Sequence, residues 1–228
     1  MKISIISLFP DMFVGPMTQS ILKRAAHKKL VSFEFINIRD FAVDKYKSVD
    51  GHPYGGGTGM ILRVDVVDRA LQKVKSPKSK VKTILFDAGG TPYTQKKARQ
   101  LATLDHLILI CGHYEGIDER IRGLVDEEIS IGDYVLTGGE IPAMVIADSV
   151  VRLLPGVLKK EDATVHESFT ESLLEYPQYT EPREYNGQTV PDVLVSGNHQ
   201  KIELWKQKEA TARTRLRRKD LLHGLDTD

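Results

Sequence analysis

Short runs of apolar residues alternate, over the first 155 residues, with stretches in which apolar residues recur every three or four positions. The runs predict β-strands and the recurring spacing predicts amphipathic helices. The predicted strands are Lys2–Leu8, Val31–Ile38, Val81–Phe86 and His106–Cys111. The predicted helices are Met12–His27, Val64–Val74, Thr94–Ala102 and Glu140–Leu154, the last opened by a capping box at Thr137 and Glu140. The alternation predicts an α/β fold, with a mostly parallel sheet and helices on both faces.

The pattern changes after residue 158. Residues 159–175 carry acids, Ser and Thr without periodicity, which predicts a flexible linker. The remaining residues, 176–228, begin with a segment rich in Pro and Gly, and two helical stretches follow at His199–Thr214 and Arg217–His223. The sequence therefore predicts an α/β domain over 1–158, an acidic linker over 159–175 and a small helical C-terminal domain over 176–228.

Composition excludes several classes of protein. A chain of 228 residues with 41% hydrophobic content indicates a soluble globular protein. The apolar run at the start is interrupted by Pro10 and Asp11, so we predict neither a signal peptide nor a membrane span. A single cysteine, Cys111, excludes an internal disulfide and a cysteine-based zinc site. We expect a cytoplasmic protein without a structural metal.

Charge is distributed unevenly along the chain, although the net charge is only +1. Residues 199–223 hold eight Lys and Arg against three acids, whereas residues 160–184 hold seven acids and two bases. A basic helical unit behind an acidic segment predicts a polyanion as its partner. The alternative is an ordinary solvated helix face.

Three glycine-bearing loops are candidates for ligand binding, because ligands of α/β proteins bind beyond the carboxyl ends of the strands. They are Asp50–Met60, Cys111–Arg120 and Ile131–Glu140. None contains the G-x-x-x-x-G-K-[ST] pattern, which disfavours a P-loop hydrolase. No strand leads into G-x-G-x-x-G, and the nearest segment, Asp87–Gly90, lacks the remaining glycines, which argues against a Rossmann-type site.

Five strings in the chain closely resemble the bacterial tRNA (guanine-N1)-methyltransferases of the SPOUT superfamily. They are YGGGTGM (Tyr54–Met60), CGHYEGIDER (Cys111–Arg120), SIGDYVLTGGEIPAM (Ser130–Met144), RLLPGVL (Arg152–Leu158) and VSGNH (Val195–His199). They follow the family's order along nearly the whole chain. The resemblance implies methyl transfer from S-adenosylmethionine to N1 of the guanine 3′ of the anticodon in tRNA. It also implies a deep trefoil knot in the N-terminal domain and a homodimer with active sites at its interface.

The resemblance implies that S-adenosylmethionine lies among the knotted loops. The implied cofactor contacts are Leu85, Phe86, Ala88, Gly112, Tyr114, Glu115, Gly116, Ile131, Gly132, Tyr134, Leu136, Gly138 and Gly139. We expect backbone donors and acceptors to dominate these contacts, since glycine lets the backbone approach a ligand closely. Family members often carry S-P-Q-G where this chain has Asp87–Gly90, so we expect the contacts of that loop to differ.

Transfer to guanine N1 needs a carboxylate that takes the N1 proton and a donor or cation that stabilises charge on O6. The resemblance implies Glu167 as the base, Arg152 as the O6 partner and Glu115 as a further catalytic residue. The family commonly has D-S-F where this chain has E-S-F, and the longer side chain leaves Glu171 and Glu175 open as alternatives. Dependence on Mg²⁺ is also implied, although no spaced ligand cluster predicts a dedicated metal site.

The implied macromolecular partner is the anticodon arm of tRNA. The candidate contacts are Gly57, Gly59, Ser196, Asn198, Lys208, Arg213, Arg215, Arg217 and Arg218. Trp205 could stack on a base or form the core of a small helical unit. Two other functions stay open: a related SPOUT enzyme that acts on a ribose hydroxyl or another base, and a non-catalytic RNA-binding protein that has kept the fold.

Overall fold

The chain divides into two compact units, Met1–Lys159 (unit 1) and Lys160–Asp228 (unit 2). The structure, a computed structural model, describes residues 1–75, 80–160, 164, 167–170 and 172–222. The alternative base Glu171 and the end of the second predicted terminal helix lie outside this part of the chain. No helix within it is long and apolar enough to cross a membrane.

Unit 1 is built on a five-stranded sheet with the strand order β2-β1-β6-β5-β7. The strands are β1 (Lys2–Ser7), β2 (Ser32–Asn37), β5 (Val81–Pro92), β6 (His106–Ile110) and β7 (Glu127–Ser130). Every pairing in this sheet is parallel. A separate two-residue antiparallel ladder joins β3 (Asp50–Gly51) and β4 (Ile61–Leu62). The predicted α/β class with a mostly parallel sheet is confirmed.

Helices cover both faces of the sheet, as predicted. They are α1 (Val14–Met17), α2 (Ser20–His27), α3 (Val64–Val74), α4 (Gln95–Leu101) and α5 (Glu140–Val151). Alternate residues of β6 face opposite sides: Leu107 and Leu109 pack with α2, α4 and α5, while Ile108 and Ile110 pack with α3. β6, in the middle of the sheet, is therefore buried on both faces, which is why its sequence is an apolar run after His106.

The single helix predicted over Met12–His27 is wrong. The chain forms a 3₁₀ helix at Pro10–Phe13 and then α1 and α2. Gln19, the N-cap of α2, is extended, and Ser20, its first residue, has φ 48, a backbone conformation that no α-helix continues through. The helix breaker Pro16 inside the predicted span is the signal that indicates this interruption.

The capping box predicted at Thr137 is also wrong. Helix α5 begins at Glu140, its N-cap is Gly139, and no side chain caps it. The Glu140 carboxylate instead accepts a hydrogen bond of 2.7 Å from the hydroxyl of Ser7, the last residue of β1. The partner is 133 residues away in sequence, so a local pattern does not reveal it.

Unit 2 contains one long helix, α6 (His199–Arg217), and a short hairpin of β8 (Glu184–Tyr185) and β9 (Gln188–Thr189). The Asn198 side chain caps α6 by accepting from the Lys201 N–H at 3.1 Å. Where the second terminal helix was predicted, the described residues form a 3₁₀ helix, Lys219–Leu222.

Part of the predicted linker is folded against α6. The Leu174 N–H donates to Oγ1 of the fully buried Thr214 at 2.8 Å, and the Glu175 N–H donates to the Ser168 hydroxyl at 3.0 Å. The Lys206 ammonium lies 5.1 Å from the centre of the Tyr176 ring. Residues 167–170 and 172–176 are thus held by unit 2 rather than extended between the units.

Candidate functional site

A pocket of about 250 Å³ opens at the carboxyl ends of β5, β6 and β7, where ligands of parallel sheets bind. Its lining comes from three loops and the start of α5: residues 86–88, 112–117, 129–132, 134–139 and 142. Every residue predicted to contact the cofactor is in this lining except Leu85. The Leu85 side chain is fully buried in the core on the α3 side of the sheet. The sequence analysis missed several lining residues, among them Asp87, His113 and Pro142.

The second and third loops meet backbone to backbone at the floor of the pocket. The Gly139 N–H donates to the Gly112 carbonyl at 2.9 Å, and His113 forms an antiparallel bridge with Gly138. A Cβ on Gly139 would lie 2.6 Å from Cys111 Cα and 3.0 Å from the Gly112 nitrogen. Glycine is therefore required at this contact, because a side chain would push the two loops apart.

Two tyrosines form part of the wall. A Cβ on Gly132 would clash with the Tyr134 ring, and the Tyr134 hydroxyl donates to the Ile131 carbonyl at 3.2 Å. Tyr114 has φ 65, and its hydroxyl accepts a hydrogen bond of 3.4 Å from Arg39. Left-handed backbone at a bulky residue is uncommon and concentrates at functional sites.

The first glycine loop lies directly against the second, beside the pocket. The Glu115 N–H donates to the Met60 carbonyl at 3.1 Å, and the Leu62 N–H donates to the Gly116 carbonyl at 3.0 Å. A Cβ on Gly59 would clash with Glu115 Cγ. The structure thus brings together Gly59, predicted to contact tRNA, and Glu115, predicted to contact the cofactor. A Cβ on Gly57 would meet only the Pro53 ring, at 3.6 Å.

The loop that departs from the family's sequence has its own hydrogen bonds. Asp87 accepts from the Gly89 N–H at 2.7 Å and from Arg122 at 3.0 Å. Residues 87–90 leave the sheet, because Phe86 and Thr91 both stand opposite Ile129. Asp87 therefore orders this loop at the pocket edge without the proline of the family.

Cys111 is close to the pocket floor but is not a nucleophile. Burial raises the pKa of its thiol well above the usual value, and the negative charge of Glu140 raises it further. A thiol that stays protonated is unreactive.

The two residues predicted for proton transfer and O6 stabilisation lie in different units. Arg152 is the C-cap of α5 and is partly buried; its N–H donates to the Asp148 carbonyl at 3.2 Å. Glu167 is partly buried in unit 2 and lines a cavity of about 340 Å³. The lining of that cavity includes the alternative base Glu175, Tyr176 and residues of α6.

The basic residues of α6 separate onto different faces. Lys201, Lys208 and Arg215 are exposed and spaced seven residues apart, so they share one stripe. This stripe, which we call the basic stripe, lies opposite the buried Ala210 and Thr214. The prediction included Lys208 and Arg215 but missed Lys201.

The other predicted tRNA contacts of unit 2 line a cavity or take part in contacts within this unit. Arg213 and Arg217 line a cavity of about 390 Å³ that includes Glu175 and Tyr176. Arg218 is paired with Asp220 at 2.6 Å. Ser196 and Asn198 form the turn that leads into α6, where the Asn198 N–H donates to the Ser196 hydroxyl at 3.2 Å.

Trp205 is partly buried, and its ring centre lies 6.4 Å from that of Tyr179. This contact is within the range of aromatic pairs in a small core.

Among residues 1–75, 80–160, 164, 167–170 and 172–222, no group of three His, Cys, Asp or Glu is arranged to hold a metal ion.

Comparison with known proteins agrees with the resemblance. The family described as tRNA (Guanine-1)-methyltransferase TrmD matches residues 1–224. A tRNA (guanine-N(1)-)-methyltransferase of Carboxydothermus hydrogenoformans is 54% identical over 97% of this chain and 87% of its own length. The protein of the same name from Dictyoglomus turgidum is 52% identical over 97% of this chain and 90% of its own length. That from Bacillus pumilus is 55% identical over 100% of this chain and 94% of its own length.

Proposed function

The chain belongs to the tRNA (guanine-1)-methyltransferase TrmD family, and on that premise we propose that it methylates N1 of the guanine 3′ of the anticodon in tRNA, with S-adenosylmethionine as donor. The observation that carries the proposal is the glycine-floored pocket at the ends of β5, β6 and β7. tRNA is a cytoplasmic substrate, and we propose that the enzyme works in the cytoplasm.

The pocket fits the donor in chemistry and in size. Its floor is glycine backbone at Gly112 and Gly139, over which a flat ligand can lie, and its walls include Phe86, Ile131 and Leu136. A volume of about 250 Å³ is close to the lower end of small-molecule sites. When bound, S-adenosylmethionine supplies a methyl group already activated by its sulfonium.

The protein's part in the reaction is to hold the guanine and move its proton. We propose that Glu167 takes the N1 proton and that Arg152 stabilises negative charge on O6. Glu115, at the junction of the first two glycine loops, completes the catalytic set. Mg²⁺ stays a prediction of the resemblance, with Glu115 and Glu167 as residues that could share the ion with substrate oxygens.

We propose a homodimer that covers the outer face of α5. The sequence of α5, EIPAMVIADSVV, is apolar around most of its circumference, yet Ile141 is 47% and Val145 is 41% exposed. The neighbouring 3₁₀ helix adds the exposed Met12. A helix that is apolar all round is normally buried, and a contiguous apolar surface marks an interface.

We further propose the trefoil knot in unit 1 and a tRNA-binding role for the C-terminal domain. The knot is proposed from the family match, which covers residues 1–224. The basic stripe supports contact of residues 176–228 with the anticodon arm, the linker joining them to the cofactor domain.

The proposed activity is tested by incubating the protein with labelled S-adenosylmethionine and a tRNA transcript. We expect label in the tRNA, recovered as 1-methylguanosine by nucleoside mass spectrometry, and no label when the target guanine is replaced. Methylated ribose or another methylated base would identify a related SPOUT activity instead. Binding of tRNA without any transfer would identify a non-catalytic RNA-binding protein.

Phosphate contact by the basic stripe predicts a change in salt dependence. We expect Lys208→Ala combined with Arg215→Ala to reduce the slope of log affinity for tRNA against log salt by about two. Arg218→Ala should change the slope less, because Asp220 already neutralises part of its charge. Lys96→Ala, an exposed lysine of unit 1, is the matched control. An unchanged slope in the double variant would place tRNA on another surface.

The contact at Gly139 predicts loss of donor binding on substitution. We expect Gly139→Ala to weaken S-adenosylmethionine binding by roughly 5- to 150-fold in calorimetry, because the added Cβ displaces the Cys111 and Gly112 backbone. In Gly123→Ala the Cβ meets no atom within 4 Å, so this control should bind normally. Equal affinity in both variants would show that the pocket floor is not where the donor lies.

A further inference from the structure

We infer that the buried Glu140 carboxylate makes the pocket selective for the positively charged methyl donor over the neutral thioether left after transfer. This inference rests on the proposed function and adds a specificity-determining residue that lies outside the pocket lining. Donor and product share their adenosine and amino-acid groups and differ at sulfur, by one methyl group and one positive charge.

Glu140 lies directly behind the floor of the pocket. It is 3% exposed and follows Gly138 and Gly139, both of which line the pocket. A Cβ on Gly138 would clash with Glu140 Oε2 and would lie 2.7 Å from His113 Nδ1. The carboxylate is therefore next to the backbone of a lining glycine.

The surroundings of Glu140 support a negative charge. Ser7 donates its hydroxyl proton to Oε1 at 2.7 Å and in turn accepts from the Phe9 N–H at 2.8 Å. Glu140 is also the first residue of α5, where the helix dipole favours an anion.

No lysine or arginine in the described part of the chain forms an ion pair with Glu140. His113 Nδ1, which is buried and has no hydrogen-bond partner among the described residues, lies on the same side of Gly138 as the carboxylate, since an added Cβ would clash with both. Burial keeps water and salt from screening the carboxylate as they screen a surface charge. Its field therefore extends into the pocket and attracts a cationic ligand.

The test compares ligands that share their adenosine and amino-acid groups but differ in charge at sulfur, on the wild-type protein and on Glu140→Gln. Calorimetry at one fixed pH measures affinity for the donor, for its demethylated thioether and for an analogue with a protonated amine in place of the methylated sulfur. We expect Glu140→Gln to lose roughly 5- to 30-fold in affinity for the two cations relative to the thioether. Glutamine keeps the size and the acceptor for Ser7, so a purely structural role would leave this ratio unchanged.

Two control variants accompany Glu140→Gln, one that removes a charge elsewhere and one that keeps the charge at position 140. Glu119→Gln removes the same charge from a side chain that is 82% exposed and should keep the wild-type ratio. Glu140→Asp, which keeps the charge, should restore most of the selectivity. Glu140→Ser is a second charge-free variant if Glu140→Gln does not fold.

An equal change for all three ligands, or no change, in a folded charge-free variant would overturn the inference. That result would leave the proposed function intact as long as wild-type protein binds the donor. If the wild-type protein binds none of the three ligands, the cofactor pocket itself is wrong.

Discussion

Replacing Glu167 with glutamine is expected to slow methyl transfer roughly 10²- to 10⁴-fold in single-turnover experiments, which is the usual loss when a general base is removed. Glutamine has the same size but cannot accept the N1 proton. Donor affinity, measured by calorimetry, should not change, because Glu167 belongs to unit 2 and the donor pocket to unit 1.

Glu175→Gln is the matched control for this variant. Its side chain lines the same cavity as Glu167, so both substitutions remove one charge from the same surroundings. A slow Glu175→Gln together with a normal Glu167→Gln would transfer the role of base to Glu175. If both variants react at the wild-type rate, neither Glu167 nor Glu175 takes the proton.

Arg152→Ala is expected to lower the single-turnover rate roughly 10²- to 10³-fold, as the loss of one charge-stabilising donor does. The substitution leaves the charge that develops on O6 without its partner. The measurement is made with saturating donor and tRNA, so that weaker binding does not contribute. Arg152→Lys should recover part of the rate, because it keeps the charge but not the planar fork.

Arg24→Ala removes an exposed arginine of the same unit and should react normally. Because Arg152 also caps the C-terminus of α5, thermal unfolding of both variants is compared. A wild-type rate in Arg152→Ala would remove this residue from the chemistry. A loss that disappears at higher tRNA concentration would instead assign it to binding.

The central strands β1 and β6 could be predicted because burial on both faces requires short segments rich in Ile and Leu. β6 is apolar except for its first residue, β1 alternates isoleucines with serines, and both were predicted to within two residues at each end. β7 was missed, since its sequence EEIS is short and half polar; Glu127 is held there by Lys82 and Lys97 from neighbouring elements. Such pairing partners are known only once the chain is folded.

The pocket was predicted from motif resemblance rather than from periodicity. Hydrophobic patterning gives no reason to bring the loop after β6 against the loop before α5, because their joining depends on glycine at positions 138 and 139. The same limit explains the error at Thr137. A capping box joins residues three positions apart, whereas the Glu140 carboxylate accepts its hydrogen bond from Ser7 of β1.

In unit 2, charge counting found the basic segment but not its orientation. The buried Thr214 accepts from the Leu174 N–H, and this contact fixes which side of α6 faces inward. It leaves Lys208 and Arg215 exposed and turns Arg213 toward the cavity beside Glu175. The sequence could not show this, since it does not reveal that residues 172–176 fold onto the helix.

The most direct measurement is a crystal structure of the protein soaked with S-adenosylmethionine. We predict donor density along Gly112–Gly116 and Ile131–Gly139, with backbone groups of these loops as its principal hydrogen-bond partners. Density for the donor at another place, with the glycine-floored pocket empty, would contradict the proposed site.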